Sequence, residues 1–380
     1  MRQYGWKGGR LERSCLGMVA PLAVALSILP TFHLSAQDSQ FGIQGLGTPG
    51  RFESVRARST AGAFTPFDPL SPLTEAPLAD LAILTATAMS GTSYRESDLG
   101  GSTASLRSTR FPLLSAAGRV APRFALAAGF TTYLDKSWDV TQRDSSLLRG
   151  VLQHYTDELT SNGSVADVRF AAASRLNRRI AIGGGIHLLT GSTRQTAERR
   201  FDDTTFHTVQ QLAEVRYSGF GVSGSILIGV APGLSVAGWA RSDSRLRAKA
   251  GDSTTALTDL PHGAGGGLLF APSPSVKIGG SVAWRSWSRS GPGAFNTWSW
   301  SGGAEFGSSL MPLRLGVRGG QMPFGPGTTA PTEFAAAAGT GRSFAQGRAS
   351  IDLGVERLER RGTGLTERVW TVLVGLTVRP

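Results

Sequence analysis

Apolar and polar residues trade places at every step over long stretches of the chain, most clearly between residues 261 and 324. From Val276, one face reads Val276, Ile278, Gly280, Val282 and Trp284, and the other Lys277, Gly279, Ser281, Ala283 and Arg285. That is the two-residue period of a strand with one apolar and one polar face. After Gly291-Pro292-Gly293 the alternation restarts, with Trp298, Trp300, Gly302, Ala304 and Phe306 opposite Thr297, Ser299, Ser301, Gly303 and Glu305. A third run sets Leu313, Leu315 and Val317 against Arg314, Gly316 and Arg318. Successive two-faced strands joined by short Pro/Gly/Ser turns predict an antiparallel meander.

The same parity recurs from Phe124 to Phe130, from Ile180 to Leu188, from Ile351 to Val355, and in the final stretch, where Trp370, Val372, Val374, Leu376 and Val378 share a side. Strands are expected near 81–90, 104–119, 123–134, 148–158, 164–175, 180–190, 212–230, 234–248, 262–271, 276–288, 297–309, 313–323, 332–358 and 366–379. Some of these stretches are long enough for two strands and the weakest also fit loops; the tally is about fourteen, and most reach the roughly nine to eleven residues that cross a bilayer at a tilt. The connections Asp135 to Leu147 and Thr193 to Val209 are long and charged, whereas Ala231-Pro232-Gly233 and Pro272-Ser273-Pro274 are tight. Long and short connections in alternation are what an up-and-down barrel requires. Ending on a strand suits a barrel, because the last strand must pair with the first to remove the edge. The terminal residue is Pro380 rather than the aromatic residue on which many such barrels end.

Composition narrows which solvent the apolar face meets. With 50 Gly and only 40% hydrophobic residues in 380, the chain lacks the thick apolar blocks of a soluble two-layer protein of this size. Arg2, Lys7, Arg10 and Arg13 precede an apolar run from Leu16 to Leu29, followed by Leu34-Ser35-Ala36. These are the parts of a secretory leader, too short to span a bilayer, with cleavage expected after Ala36. The only cysteine, Cys15, falls within that leader, so the mature chain has no disulfide framework. Large, exported, cysteine-free and Gly-rich with alternating strands describes an all-β transmembrane antiparallel β-barrel of the bacterial outer membrane rather than a secreted sandwich. The expected organisation is a signal peptide over 1–36, an N-terminal segment over 37–80 and the barrel over 81–380. The 37–80 segment keeps no sustained period, and its scattered aromatics Phe41, Phe52, Phe64 and Phe67 favour an inward-folded lumenal plug over a disordered linker.

Between Leu260 and Pro323 the residues resemble the C-terminal half of the long-chain fatty acid transporters of bacterial outer membranes, the FadL family. The similarity runs through Pro261 and Gly263, the turn Ala271-Pro272-Ser273-Pro274, Trp287-Ser288, Gly303-Ala304-Glu305-Phe306, Leu313-Arg314-Leu315-Gly316 and Pro323. The last two strands, through Asp352-Leu353-Gly354 and Val374-Gly375-Leu376, follow in order. Near the N-terminus Gly62 and Asp68 fit, while Glu75-Ala76-Pro77 stands where the family has Asn-Pro-Ala. The resemblance implies passive uptake of hydrophobic small molecules such as long-chain fatty acids, through a lumen closed by an N-terminal hatch.

Residues that carry chemistry are few. The five histidines, His33, His154, His187, His207 and His262, are far apart and have no cysteine partners, so no metal or other cofactor is expected. Gly183-Gly184-Gly185 and Gly265-Gly266-Gly267 are not followed by Lys-Ser/Thr, and read as places where a strand bends or lies close to a plug. The net charge of +12 and pI near 10.8 are spread among the strands, and export argues against a nucleic-acid partner. Arg285, Arg314, Arg318 and Arg348 share the polar faces with Glu305, Asp352 and Glu356. They form either a ladder of paired charges in the lumen or, where one is left over, a seat for the carboxylate of an amphiphile. Trp284, Trp298, Trp300 and Trp370 fit a membrane-interface girdle, whereas Trp287 has the opposite parity and either lines a ligand path or lies beyond the membrane edge. The ligand-binding candidates are therefore Arg285, Arg314, Arg318 and Trp287. A non-enzymatic, monomeric transporter in contact with outer-membrane lipid is the leading reading. A general porin, a structural or secretion-associated barrel, and a lipid hydrolase built around His187 are the competitors.

Overall fold

The computed structural model describes residues 39–380 except 44, 52, 101, 149, 252 and 309. The expected leader lies outside the described residues. Fourteen antiparallel strands close into a barrel. They are β1 (Thr85–Leu99), β2 (Ser102–Ala121), β3 (Phe124–Asp135), β4 (Val151–Arg175), β5 (Ile180–Phe201), β6 (Val209–Ala231) and β7 (Leu234–Asp243). The second half comprises β8 (His262–Ser273), β9 (Val276–Arg285), β10 (Thr297–Ser308), β11 (Met311–Gln321), β12 (Thr332–Phe344), β13 (Ala349–Gly362) and β14 (Leu365–Val378). Each pairs with its chain neighbours, and β14 closes on β1 from Leu365↔Leu99 to Val378↔Ala86. No sheet edge is left at the seam, so the backbone polar groups of both terminal strands are satisfied inside the wall.

The even tally conceals two compensating differences from the sequence expectation. Residues 148–158 and 164–175, expected as two strands, belong mostly to the single 25-residue β4. Conversely, 332–358, the longest expected stretch and long enough for two strands, divides into β12 and β13 at Ala345–Gly347. The expected charged loop after Asp135 contains a further strand, Trp138–Leu148, that pairs with the outer part of β4. A hairpin of Arg245–Ala250 and Ser253–Asp259 leans on β6 in the same way.

Strand parity assigns the two faces as the sequence pattern anticipated. Leu313, Leu315 and Val317 are 52%, 45% and 40% exposed, whereas Arg314 between them is buried. The same holds for Trp370, Val372, Val374, Leu376 and Val378, all exposed, against buried Val369, Thr371, Leu373 and Thr377. A continuous apolar outer surface of this kind has no partner within the chain, and it suits hydrocarbon rather than water. Trp284 and Trp298 pack with ring centroids 6.4 Å apart on that surface.

The N-terminal segment touches inward-facing residues around most of the wall. Ser39 and Gln40 bond Glu367 on β14. Thr48 and Pro49 pair with Asp135 and Leu134 of β3. A short helix, α1 (Val55–Ser59), is capped by Ser54, whose Oγ accepts from the Ala57 N–H at 3.2 Å. Ser54 and Ser71 both donate to Asp68, tying α1 to the following turn. Several inward-facing strand glycines make room for this segment. A Cβ at Gly303 would lie 2.7 Å from the Thr60 carbonyl oxygen, and one at Gly267 only 3.0 Å from the Phe67 ring. The run Gly183-Gly184-Gly185, where the sequence suggested a close approach, meets Glu75 and Ala76.

Candidate functional site

Because alternate residues of every strand point inward, neighbouring strands bring distant polar residues together in rows. One row crosses β9, β10, β11 and β13. Lys277 donates to Glu305 at 2.7 Å, Arg314 donates to Glu305 at 2.8 Å, and the same guanidinium reaches Asp352 at 2.6 Å. Arg56 of α1 joins from the N-terminal segment, 3.2 Å from Glu305. Arg314, one of the candidate ligand residues, is thus held between two carboxylates. A small cavity of about 170 Å³ beside it is lined by Arg56, Lys277, Glu305, Asp352, Arg342 and Arg379.

A second row lies nearer the end that carries the long connections. Arg318 pairs with Glu333, and Arg360 bridges Glu333 at 2.7 Å and Glu367 at 3.6 Å. Glu356, 2% exposed, receives Arg58 at 2.9 Å, Arg51 at 3.2 Å and Arg318 at 3.5 Å. Burial resists ionisation of Glu53, yet the Arg51 guanidinium 2.9 Å away holds its carboxyl below the usual range. Charges this dry persist because each has a counter-charge within reach. Arg318 Nε is buried and makes no hydrogen bond.

Beside this row is a cavity of about 190 Å³, roofed by the N-terminal segment and walled by β7 and β9 to β11. Arg285, Arg318 and Trp287 all line it, together with Leu73, Pro66, Trp239 and Met322. Three of the four candidate residues therefore meet in one place, and Arg314 does not join them. Trp287 is 1% exposed, in a short turn after β9, with Phe324 edge-on at 5.4 Å. It belongs to an apolar cluster with Tyr133, Leu134, Leu189, Tyr217, Leu246 and Leu260 at the long-connection end. A guanidinium with an unused donor beside indole and aliphatic surface can hold a compact apolar molecule, including one that ends in an anion.

A third constellation involves His187. Its Nδ1 lies 2.8 Å from Asp167 on β4 and its Nε2 lies 2.8 Å from Ser223 Oγ on β6. Ser223 in turn donates to Glu75 of the N-terminal segment at 2.6 Å. Arg241 of β7 clamps Asp167 at 2.7 Å and Asp243 at 2.9 Å, and Tyr133 donates to Asp243 at 2.8 Å. Parity placed His187 on the polar side and Glu75 was noted only as a departure from the FadL pattern, while Asp167, Ser223 and Arg241 were not singled out from sequence. Only register reveals them, because Asp167 pairs with Leu189 and His187 with Gly221, so the three side chains meet on a diagonal. A Ser, His, Asp line is also the layout of a hydrolase nucleophile. Here Ser223 faces a carboxylate where a hydrolase would present N–H donors to a developing oxyanion. Among the described residues no group of three His, Cys, Asp or Glu side chains could hold a metal ion.

No family model matches the sequence. No curated protein matches it either. Solved structures do. A Pseudomonas aeruginosa FadL homologue superposes with a TM-score of 0.62 at 11% identity, covering 88% of this chain and 99% of that one. The Pseudomonas putida toluene transporter TodX superposes at 0.59 with 10% identity, over 87% of this chain and 98% of that one. The CymD monoaromatic hydrocarbon channel gives 0.55 at 12% identity, over 88% and 98%. The chain has the fold of these channels. The shared architecture extends along nearly the whole of their length.

Proposed function

We propose that the protein is an outer-membrane channel for passive uptake of hydrophobic small molecules, with residues 1–36 removed as a leader, 37–80 acting as a lumenal plug and 81–380 forming the barrel. The observation that carries this reading is the inversion of faces: apolar residues coat the outside of a closed barrel, and the inside is a lattice of paired charges against which the N-terminal segment packs. Such a wall sits in lipid, and a lumen so occupied favours a discrete substrate over free passage of ions. The channels that share its fold are named for toluene and monoaromatic hydrocarbons, which supports a compact apolar substrate. The cavity beneath Trp287 is of that scale, and Arg285 and Arg318 on its wall extend the class to acids such as long-chain fatty acids.

The test is reconstitution of the mature chain in liposomes, with uptake of toluene and of oleate measured against empty vesicles and against a protein-loaded control for leakage of a hydrophilic dye. Uptake of either probe without dye leakage is expected. Dye leakage equal to probe uptake would replace this reading with a general porin.

A further inference from the structure

We propose that the hydrogen-bond chain from Asp167 through His187 and Ser223 to Glu75 is a proton-dependent latch that holds the N-terminal segment against the barrel wall. The inference rests on the plug reading above and names how that plug is regulated. Counting hydrogens carries it. Three contacts lie in line: Nδ1 to Asp167 at 2.8 Å, Nε2 to Ser223 Oγ at 2.8 Å, and Ser223 Oγ to Glu75 Oε1 at 2.6 Å. Each needs one proton between its two heavy atoms. A neutral imidazole supplies one, to Asp167, and the serine hydroxyl supplies one more. Two protons cannot fill three contacts. The third must come from imidazolium Nε2–H, which then donates to Ser223 while Ser223 donates to Glu75, or from a protonated Glu75.

The rest of the surroundings fix the ends of the chain. Arg241 holds Asp167 as an acceptor, and Arg169 stands 3.5 Å from Glu75 Oε1. Ser225 donates to Glu75 Oε2 at 2.9 Å and accepts the Glu75 and Ala76 N–H groups, each at 2.8 Å. Asp243 lies on the far side of Arg241, with Tyr133 and Arg285 beyond it. His187 and Glu75 are both almost wholly shielded from water, so solvent does not replace a missing proton. Without the shared proton, lone pairs of Nε2 and Oγ, or of Oγ and Oε1, face each other, and at this point the segment is held only by its Ser225 and Arg169 contacts.

Glu75→Gln separates this from a merely structural network. The Gln amide donates to Ser223, Ser223 donates to neutral His187, and the Gln carbonyl still accepts from Ser225, so the three contacts in line are filled without the extra proton, at the cost of the Arg169 ion pair. Hydrogen exchange of the Glu75 and Ala76 amides, corrected for intrinsic pH dependence, is measured on the full mature protein in detergent at about pH 6 and about pH 9. Wild type is expected to lose protection about tenfold at the higher pH. Glu75→Gln is expected to stay protected at both, and Ser223→Ala to be unprotected at both while keeping its heat-resistant migration on a gel. Equal protection of wild type at the two pH values, or the same pH response in Glu75→Gln, would overturn the latch. Toluene uptake is followed in parallel: if no variant admits the probe at any pH while the exchange pattern holds, the channel reading fails and the latch stands.

Discussion

Arg314 and Arg318 stand four residues apart on one strand in different surroundings. Arg314 is satisfied by Glu305 and Asp352, and removing it leaves Glu305 with Lys277 and Arg56 alone. Arg314→Ala should therefore cost about 3 kcal/mol of barrel stability, the range for breaking a buried pair, seen as a lower temperature for loss of the compact gel form. Arg318 carries a buried Nε with no hydrogen bond and lines the cavity with Trp287. Arg318→Ala should weaken oleate binding roughly tenfold, one charge-assisted hydrogen bond, while leaving toluene binding within a factor of two or so. Equal losses for both probes would assign Arg318 a packing role only. Lys136 offers a separate check outside the membrane-crossing strands. It sits with Nζ 5.2 Å from the Tyr217 ring centroid and donates to the Leu46 carbonyl, and burial lowers its pKa to about 8. Its charged form is disfavoured in the fold, so stability should rise as pH increases from about 8 to about 10.4, the unfolded value, and fall in the opposite direction. With only Lys7, Lys136, Lys249 and Lys277 in the sequence, a ¹³C-dimethyl-lysine titration would resolve its midpoint directly.

At the scale of elements, alternation made most strands readable and turns less so. Asn162-Gly163 has the composition of a hairpin loop, yet it lies within β4, whose register with β5 runs unbroken through it, Gly163 at φ 146° pairing with Thr193. Ala345-Gln346-Gly347, by contrast, reverses the chain with positive φ at all three residues, two of which do not advertise it. Sequence therefore split one strand and fused two. The rows of paired charge were legible as parity but not as partners, because pairing depends on register between strands that sequence spacing leaves free. Glu75 stood out only as a departure from the FadL pattern: it lies in a segment with no period and gains its partners only against β5 and β6. Inward glycines extend this logic to a test. Gly303→Leu should push the Thr60 turn off the wall and raise open-channel conductance in planar bilayers, whereas Gly302→Leu, with open space where its Cβ would go, should not. Identical traces from the two variants would mean that the segment does not block the lumen.

At the scale of the whole molecule, closure of β14 on β1 makes the wall self-sufficient, so the N-terminal segment can leave without unravelling it. Deleting residues 39–80 should preserve heat-resistant migration and strand content by circular dichroism while producing a large steady conductance. Collapse of the barrel on deletion would show instead that the segment is a core, filling the space that charges alone cannot.

The wall is also uneven in height. β4, β5 and β6 run for 25, 22 and 23 residues, against 10 for β7 and β9. At about 3.3 Å per residue the surplus of a dozen residues or so carries the β4 to β6 flank some 40 Å beyond the short strands, before tilt is counted. A large visitor approaching that end would meet the parapet first, and because Trp287 packs with Leu189 and Tyr217 of the same flank, a change there would be felt in the cluster around it.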